Sequence, residues 1–327
     1  MAVTANALKF SKVGPPDVLE WTSEELPKPA ADQIQIIQRA IGVNYIDIYH
    51  RTGLYPLPLP SGVGVEGVGE VEMVGESVKN FAPGDRVVYV GGPPGGYASA
   101  RNVPAARALK LPDDIPTDVA ASLIFKGLTV EYLIRRCHEV KKGDTVLFHA
   151  AAGGIGLIAG QWLKHIGATI IGTVSSEEKA KLARANGYDH TIIYTKENFA
   201  EKVREITNGE GVAAVYDSIG KDTFAGSLDS LRPRGILISF GTASGHVAPL
   251  DLAQLGAKGS LFVTRPSIAH YTAKRDELEA AAAAVFEAIR AGYVNAIATK
   301  TYPLREAAQA HRDLESRKTA GSIILVP

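Results

Sequence analysis

The first 125 residues alternate short apolar runs with turn residues. The runs are rich in β-branched side chains and are bounded by glycine or proline, a pattern typical of strands joined by tight turns. The clearest of them are Gln33–Gln38, Gly67–Val74 and Asp85–Val90. This part of the chain is therefore predicted to form a mostly antiparallel β domain.

From about residue 126 to residue 268, apolar runs alternate with amphipathic segments of helical period. Strands that alternate with helices in this way pair in parallel, so the segment is predicted to form a doubly wound α/β sheet. Its predicted strands are Asp144–His149, Ala168–Val174, His190–Tyr194, Ala213–Asp217, Gly235–Phe240 and Ser260–Thr264.

Two helices and a final strand are predicted after this sheet, over Arg275–Ala291, Leu304–Arg317 and Ser322–Val326. The final strand has no neighbouring strand in sequence, so we expect it to rejoin the N-terminal β domain. The predicted fold class is α/β with two domains. Residues 1–125 and 269–327 form the first domain, and residues 126–268 form the second.

The composition narrows the classes of partner. Of 327 residues 46% are hydrophobic, and 35 basic residues balance 35 acidic ones. No net charge draws the chain to nucleic acid or to an anionic membrane, so we expect neither as a partner.

The single cysteine, Cys137, excludes an intramolecular disulfide and a cysteine-based structural zinc site. With no secretory signal and no apolar stretch of the ~20 residues that span a bilayer, we expect a cytoplasmic protein.

One glycine-rich turn carries the first chemical information. In the run His149–Gly156, a predicted strand passes directly into a helix, and Ala151, Gly153 and Gly156 occupy the glycine positions of a dinucleotide-binding turn. An isolated match of this kind is also compatible with an ordinary strand-to-helix turn. The helix and second strand that follow complete a βαβ unit of about 30 residues, which favours the dinucleotide interpretation.

The end of the second strand of this unit indicates which dinucleotide binds. An NAD site typically has an acidic residue about 20 positions after the turn, to hydrogen-bond the ribose 2′-hydroxyl. This chain instead has hydroxyl residues from Thr173 to Ser176, and Ser175 with Glu178 fits a helix capping box. Lys179 offers a cation for a 2′-phosphate, although it also fits a solvated helix position, and Tyr194 ends the next strand. The pattern favours NADPH over NADH, with Thr173 and Ser175 near the ribose.

Several separate motifs give the chain an end-to-end resemblance to a known family. It is similar to the zeta-crystallin-like quinone oxidoreductases of the medium-chain dehydrogenase/reductase superfamily. The segments that carry the resemblance are Ile41–Asp47, Arg51–Pro56, Lys126–Val130, Phe148–Gly156, Val215–Ser218, Ser239–Gly241 and Val263–Pro266.

The resemblance implies a GroES-like domain, a Rossmann domain, an active site in the cleft between them, and a homodimer joined edge to edge through the Rossmann sheets. It also implies a set of cofactor-binding residues. These are Asn44, Tyr49, Thr129, Gly153, Gly154, Ile155, Lys179, Tyr194, Ser218, Phe240, Gly241, Thr264, Arg265 and Arg317.

The superfamily's alcohol dehydrogenases hold a catalytic zinc that this chain is not expected to bind. Their zinc ligands include a cysteine in the segment that here reads Gly42–Asp47, and the histidine of a Gly-His-Glu motif. This chain has Asn44 near the first position and Val65 at the second. Valine cannot ligate a metal, and zinc sites ordinarily need three protein ligands. We therefore expect no metal.

Without zinc, the expected acceptor is one whose reduced form is stable without a Lewis acid or a proton donor from the protein. A quinone gives a delocalised hydroquinone anion, so placing it against the nicotinamide and excluding water supplies much of the catalysis. Asn44, Tyr49 and Tyr55 are the candidates for lining the acceptor pocket, the tyrosines as stacking surfaces or weak acids, or simply as aromatic plugs of a loop. The alternatives are a reductase of α,β-unsaturated carbonyl compounds, a non-enzymatic crystallin-like NADPH-binding protein, and an RNA-binding protein.

Overall fold

The computed structural model describes residues 3–297, 299–316 and 319–327. The chain divides into two units, Met1–Phe125 with Ala296–Pro327, and Lys126–Asn295. The sequence interpretation placed residues 269–295 with the first unit instead. The difference has a packing reason, because Val285 lies against Gly127, 2.8 Å from where a Cβ at that glycine would be. No helix among the described residues is long and apolar enough to cross a membrane.

Strands and helices are numbered in chain order. The strands are β1 (Thr4–Phe10), β2 (Glu20–Glu25), β3 (Gln33–Val43), β4 (Ser61–Gly62), β5 (Glu66–Val74), β6 (Arg86–Val90), β7 (Ala100–Pro104), β8 (Ala108–Lys110), β9 (Thr145–Phe148), β10 (Thr169–Val174), β11 (His190–Ile193), β12 (Val212–Asp217), β13 (Leu231–Ser239), β14 (Phe262–Thr264), β15 (Lys300–Pro303) and β16 (Ile323–Val326). The helices are α1 (Tyr45–Thr52), α2 (Thr117–Tyr132), α3 (Gly154–Ile166), α4 (Glu177–Ala185), α5 (Phe199–Ile206), α6 (Phe224–Asp229), α7 (Ala253–Ala257), α8 (Ile268–Tyr271), α9 (Arg275–Arg290) and α10 (Ala307–Glu315).

The first unit is a GroES-like β domain. Its larger sheet has the order β15-β16-β3-β5-β6-β8, with β7 also paired to β3, and its smaller sheet has the order β2-β1-β4. All pairs are antiparallel except β15 with β16. Strand β16 pairs with β3 in a register that sets Ile323 opposite Val43, so the predicted return of the final strand is confirmed.

The second unit is a Rossmann domain. Its six parallel strands follow the order β11-β10-β9-β12-β13-β14, which corresponds to 3-2-1-4-5-6 in a doubly wound sheet. In this order the chain reverses direction across the sheet between β9 and β12, and ligands bind at the carboxyl ends of those strands. The centre of the sheet is apolar on both faces. Leu147, Ile171 and Val215 are fully buried on one face, and Val146, Ile170 and Ala214 on the other.

A buried hydrogen-bond chain runs beneath α1 in the first unit. The Tyr97 hydroxyl donates to Asp47 Oδ2 at 3.0 Å, so its oxygen accepts from the Nε2–H group of His311 at 2.9 Å. His311 is fully buried, and burial, with a smaller contribution from the Arg51 charge, lowers its pKa to about 3. The imidazole is therefore neutral in the folded protein.

This neutral histidine makes stability depend on pH. In the unfolded chain it titrates near its ordinary value of 6.5, whereas in the folded protein it resists protonation down to about pH 3. The unfolded state binds the additional proton in this window, so stability falls as the pH drops through it, by up to about 1.4 kcal/mol per pH unit. We expect His311→Gln, which keeps a donor to Tyr97 but cannot titrate, to lose less stability between pH 7 and pH 5 in urea unfolding. Equal losses in the variant and the wild type would contradict this assignment.

Candidate functional site

The turn after β9 has the geometry of an anion-binding helix start. Ala150 adopts a left-handed conformation at φ 54°, and Gly153 is the N-cap of α3. The first N–H groups of a helix have no intrahelical acceptor, and together with the helix dipole they attract phosphate. Gly153, Gly154 and Ile155 are partly exposed there, between buried neighbours on both sides.

The small residues of this turn are required by close approaches. A Cβ on Gly156 would lie 2.4 Å from the Ala150 carbonyl oxygen, so helix α3 packs here only with glycine. Ala151 fits at the first glycine position because Gly172 faces it, and a Cβ on Gly172 would lie 2.7 Å from the Ala151 Cβ. The alanine in the motif is thus compensated by a glycine on the neighbouring strand.

The capping box predicted for Ser175 and Glu178 is wrong by one residue. Helix α4 begins at Glu177, and its N-cap is Ser176, whose hydroxyl accepts the backbone N–H of Lys179 at 3.4 Å. Ser176 caps because it is the last residue with extended backbone, at φ −152°.

The ends of β10 and β11 bring together three of the predicted site residues. The Tyr194 N–H donates to the Val174 carbonyl at 3.1 Å, and the Thr195 hydroxyl to that of Ser175 at 3.3 Å. Ser175 and Lys179 are partly buried, whereas Tyr194 is 42% exposed. Lys179 and Tyr194 thus both lie near the end of β10, and their contact with a 2′-phosphate stays a prediction.

Thr173, predicted to lie near the ribose, has its side chain inside the second unit. Its side chain is buried, and Oγ1 lies 2.9 Å from Nδ1 of His149, inside the unit. The hydroxyl that sequence spacing assigned to the ribose is therefore engaged with a neighbouring strand end.

The loops after β12 and β13 bring together a second group of predicted residues. The Ala243 N–H donates to the Ser218 carbonyl at 3.2 Å, and a Cβ on Gly241 would lie 2.4 Å from that same oxygen. The Arg265 guanidinium donates to the carbonyls of Ser239 at 2.7 Å and Gly241 at 3.1 Å. Arg265 therefore supports the end of β13 directly.

The remaining predicted cofactor residues are more scattered. Phe240 follows β13, and its ring centroid lies 5.8 Å from that of Phe148 at the end of β9. Thr264 ends β14, opposite Ile238. Thr129 is a buried residue of α2, and Arg317 lies outside the described residues.

Asn44 is held by two buried carboxylates of the first unit. It caps α1, where its backbone N–H donates to Asp47 Oδ2 at 2.8 Å, and its side-chain Nδ2 donates to Glu66 Oε1 at 2.7 Å. Glu66 is fully buried, and its other oxygen accepts the Phe125 N–H at 3.4 Å. A Cβ on Gly42 would lie 2.0 Å from Glu66 Oε1, so this glycine makes room for the carboxylate.

Tyr49 and Tyr55 form an aromatic cluster with Tyr45. The Tyr49 ring lies 5.9 Å from the Tyr45 ring and 5.0 Å from the Tyr55 ring, centroid to centroid, and the rings are tilted against each other. The Tyr55 N–H donates to the Tyr49 carbonyl at 3.0 Å, which folds the loop back onto α1. The structure thus places Tyr49 on the helix that Asn44 caps and Tyr55 in the loop that follows it.

Comparison with known proteins identifies the family. Residues 30–113 match the alcohol dehydrogenase GroES-like domain, and residues 154–286 match the family described as zinc-binding dehydrogenase. The quinone oxidoreductase of Pseudomonas aeruginosa is 47% identical over 324 residues, covering 99% of this chain and 100% of that protein. The chain belongs to the quinone oxidoreductase family of medium-chain dehydrogenase/reductases.

Two further relatives bear on the chemistry of this family. The crystal structure of Escherichia coli quinone oxidoreductase complexed with NADPH has a TM-score of 0.97 at 46% identity, covering 99% of this chain and 100% of that one. A 2-haloacrylate reductase of a Burkholderia species is 47% identical, covering 98% of each chain.

The zinc named in one family description does not fit the side chains of this member. Val65 has no donor atom, and the Asn44 amide is engaged with Glu66. Among the described residues no three His, Cys, Asp or Glu side chains are grouped so that they could hold a metal ion. Zinc sites are built from at least three such ligands.

Sequence reasoning missed two buried carboxylates, one in each unit. Glu66 was considered only as part of a lost zinc motif, and Asp217 only as part of a family segment. Asp217 is fully buried at the end of β12 and accepts hydrogen bonds from the N–H groups of Ile219 and Gly220, at 2.8 and 3.0 Å. Its signal was an acidic residue directly after an apolar strand at the reversal point of the sheet.

The close approach at Gly156 gives a prediction about the turn. We expect Gly156→Ala to lower the free energy of unfolding by about 1–3 kcal/mol, because the added methyl group overlaps backbone oxygen. The matched control is Gly256→Ala in α7, where a Cβ would meet nothing within 4 Å. There, alanine should be neutral or stabilising by about 0.5–1 kcal/mol. Denaturant unfolding of both variants tests the contrast, and similar values for the two would refute it.

Proposed function

We propose that this protein is a zinc-independent oxidoreductase that transfers reducing equivalents from NADPH to quinones. The observation that carries the proposal is its full-length similarity to a quinone oxidoreductase that was crystallised with NADPH. The turn at the start of α3 supports it, because Gly153, Gly154 and Ile155 offer the N–H groups that a pyrophosphate needs.

Other residues complete the proposed NADPH site. Lys179 and Tyr194 receive the 2′-phosphate beside Ser175, and the loops of Ser218 and Gly241 receive the nicotinamide half. The remaining contacts that the family pattern proposes are Asn44, Tyr49, Thr129, Phe240, Thr264, Arg265 and Arg317. When bound, NADPH supplies the two electrons of the reduction.

The chain itself positions the acceptor. Glu66 takes one N–H of the Asn44 amide. This contact fixes the orientation of the amide, so that its second N–H is the group we propose to donate to a quinone carbonyl. The rings of Tyr49 and Tyr55 provide flat surfaces on which a planar acceptor stacks. Protons come from water or a nearby hydroxyl, because the hydroquinone anion is stabilised by its own aromatic ring.

A reductase of α,β-unsaturated carbonyl compounds is the second candidate function. The specific observation in its favour is the 2-haloacrylate reductase, which is as similar to this chain as the quinone oxidoreductases are. No comparable observation favours a non-enzymatic, crystallin-like NADPH-binding role or RNA binding.

We also propose that the protein is a cytoplasmic homodimer, joined through the exposed edge strand β14 and its 60% exposed Phe262. Light scattering of the purified protein tests the dimer.

Steady-state oxidation of NADPH and NADH against quinones, enones and aldehydes tests the proposed function. We expect turnover with NADPH and quinones, slower turnover with enones, and no effect of a chelator. Faster turnover of enones would favour the second candidate, and activity lost on chelation and restored by zinc would refute the metal-free site. Negligible turnover despite tight NADPH binding would favour a non-enzymatic role. In the same assay, unchanged rates in Tyr49→Phe and Tyr55→Phe would show that neither hydroxyl transfers a proton and that the two rings only line the pocket.

The cofactor preference depends on Lys179 in this proposal. We expect Lys179→Gln to raise KM for NADPH about tenfold or more, since a hydrogen bond to a charged group contributes about 1.5–3 kcal/mol, and to leave KM for NADH unchanged. The matched control is Lys181→Gln, an exposed lysine of the same helix. Equal effects on NADPH and NADH, or equal effects of the two substitutions, would argue against a contact between Lys179 and the 2′-phosphate.

A further inference from the structure

Four buried polar side chains converge at the reversal point of the Rossmann sheet. His149 follows β9, Thr173 lies in β10, Asp217 ends β12 and Ser227 lies on α6, and none of them is more than 2% exposed. His149 Nδ1 lies 2.9 Å from Thr173 Oγ1, and Nε2 lies 3.0 Å from Ser227 Oγ. One imidazole ring therefore joins two neighbouring strands to a helix.

The direction of each hydrogen bond follows from the carboxylate end. Asp217 Oδ2 accepts the Ser227 hydroxyl at 3.0 Å. Ser227 has given its one proton, so its oxygen accepts Nε2–H of His149. Nδ1 must then be the unprotonated nitrogen, and the Thr173 hydroxyl donates to it. Burial lowers the pKa of His149, which keeps the ring neutral and suited to this single tautomer.

The two ends of this series of hydrogen bonds are attached to two backbone segments of the proposed cofactor site, the turn after β9 and the loop after β12. His149 immediately precedes the turn Ala150–Gly153, and the Ala151 N–H donates to the Thr173 carbonyl at 3.1 Å. Asp217 fixes the N–H groups of Ile219 and Gly220, at 2.8 and 3.0 Å, and thereby the loop of Ser218.

We infer that His149 is a positioning residue for the dinucleotide, held as the Nε2–H tautomer by a one-way chain from Thr173 through Ser227 to Asp217. The chain ties the phosphate-binding turn after β9 to the loop after β12. Thr173 acts as its terminal donor rather than as a ribose ligand, because its proton is committed to Nδ1. This inference rests on the proposed function in so far as the dinucleotide is NADPH.

Ser227→Ala tests the inference, because it breaks the chain at a buried atom of α6. The matched control is Ser230→Ala, which removes another fully buried hydroxyl, one that donates to the nearby Gly226 carbonyl at 2.8 Å. Nitrogen-15 NMR of histidine-labelled protein without cofactor reports the tautomer, and calorimetric titration with NADPH reports the dissociation constant.

In the wild type and in Ser230→Ala we expect an unprotonated Nδ1, a protonated Nε2 and the same affinity for NADPH. In Ser227→Ala we expect the single tautomer to be lost and the dissociation constant to rise about tenfold, as for the loss of one well-placed hydrogen bond. KM for the quinone should not change. If Ser227→Ala does not fold, Thr173→Val removes the donor to Nδ1 at the other end. Ser227 still accepts Nε2–H in that variant, so we expect the tautomer to persist and the dissociation constant for NADPH to rise about tenfold.

Two results would overturn the inference while leaving the proposed function intact. One is an Nδ1–H tautomer in the wild type, which requires neither cofactor nor acceptor to observe. The other is wild-type NADPH affinity in a folded Ser227→Ala or Thr173→Val variant. That result would mean that these hydrogen bonds stabilise the core and do not position the cofactor. A wild type that does not bind NADPH at all would instead refute the proposed function, and this inference with it.

Discussion

The Asp217 carboxylate is the constraint on which the cofactor face of the second unit depends. A buried charge costs several kcal/mol unless its lone pairs are satisfied. Asp217 meets this requirement with two backbone N–H groups and with the hydroxyls of Thr223 and Ser227. The loop after β12 must therefore fold so that its N–H groups point back at the strand end. The loop after β13 packs onto it through Gly241, so one carboxylate sets the shape of both loops.

The first unit meets a similar requirement with Glu66 and Asp47. Glu66 is satisfied by the Asn44 side chain, and Asp47 by the Asn44 backbone and the Tyr97 hydroxyl. Asn44 thus donates a hydrogen bond to each of two buried carboxylates at the start of α1. The positions that carry zinc ligands in the family's alcohol dehydrogenases hold an amide and a valine here. The carboxylate beside them serves to orient that amide.

Sequence patterns were sufficient where one physical cause dominates. Strands β9, β10 and β12 are buried along almost their whole length, and the glycines after β9 are imposed by backbone contact, so both could be predicted. Strand β2 was missed because it is exposed along most of its length and shows no alternation of period two. Helix α2 was missed because it is buried over most of its surface and shows no polar face.

Within the site, sequence spacing located the backbone elements better than it located side-chain partners. Counting from the glycines reached the end of β10 correctly. Whether Thr173 faces a ligand or His149, and whether Ser175 or Ser176 caps α4, depends on orientations that differ by one residue. Likewise, residues 269–295 join the second unit through contacts such as that of Val285 with Gly127, which are distant in sequence.

The buried hydrogen-bonded groups next to α1 favour an acceptor that can be reduced without a proton donor from the protein. Reduction of an enone must deliver a proton to carbon, whereas a hydroquinone takes its protons on oxygens that exchange with water. Tyr97 and His311 are committed to each other and to Asp47, and burial raises the pKa of the phenol and lowers that of the imidazole. Neither group changes protonation near neutral pH. Proton delivery to carbon from this region would then fall to the hydroxyl of Tyr49 or Tyr55, whereas a quinone requires neither, and for this reason we propose quinones as the acceptors.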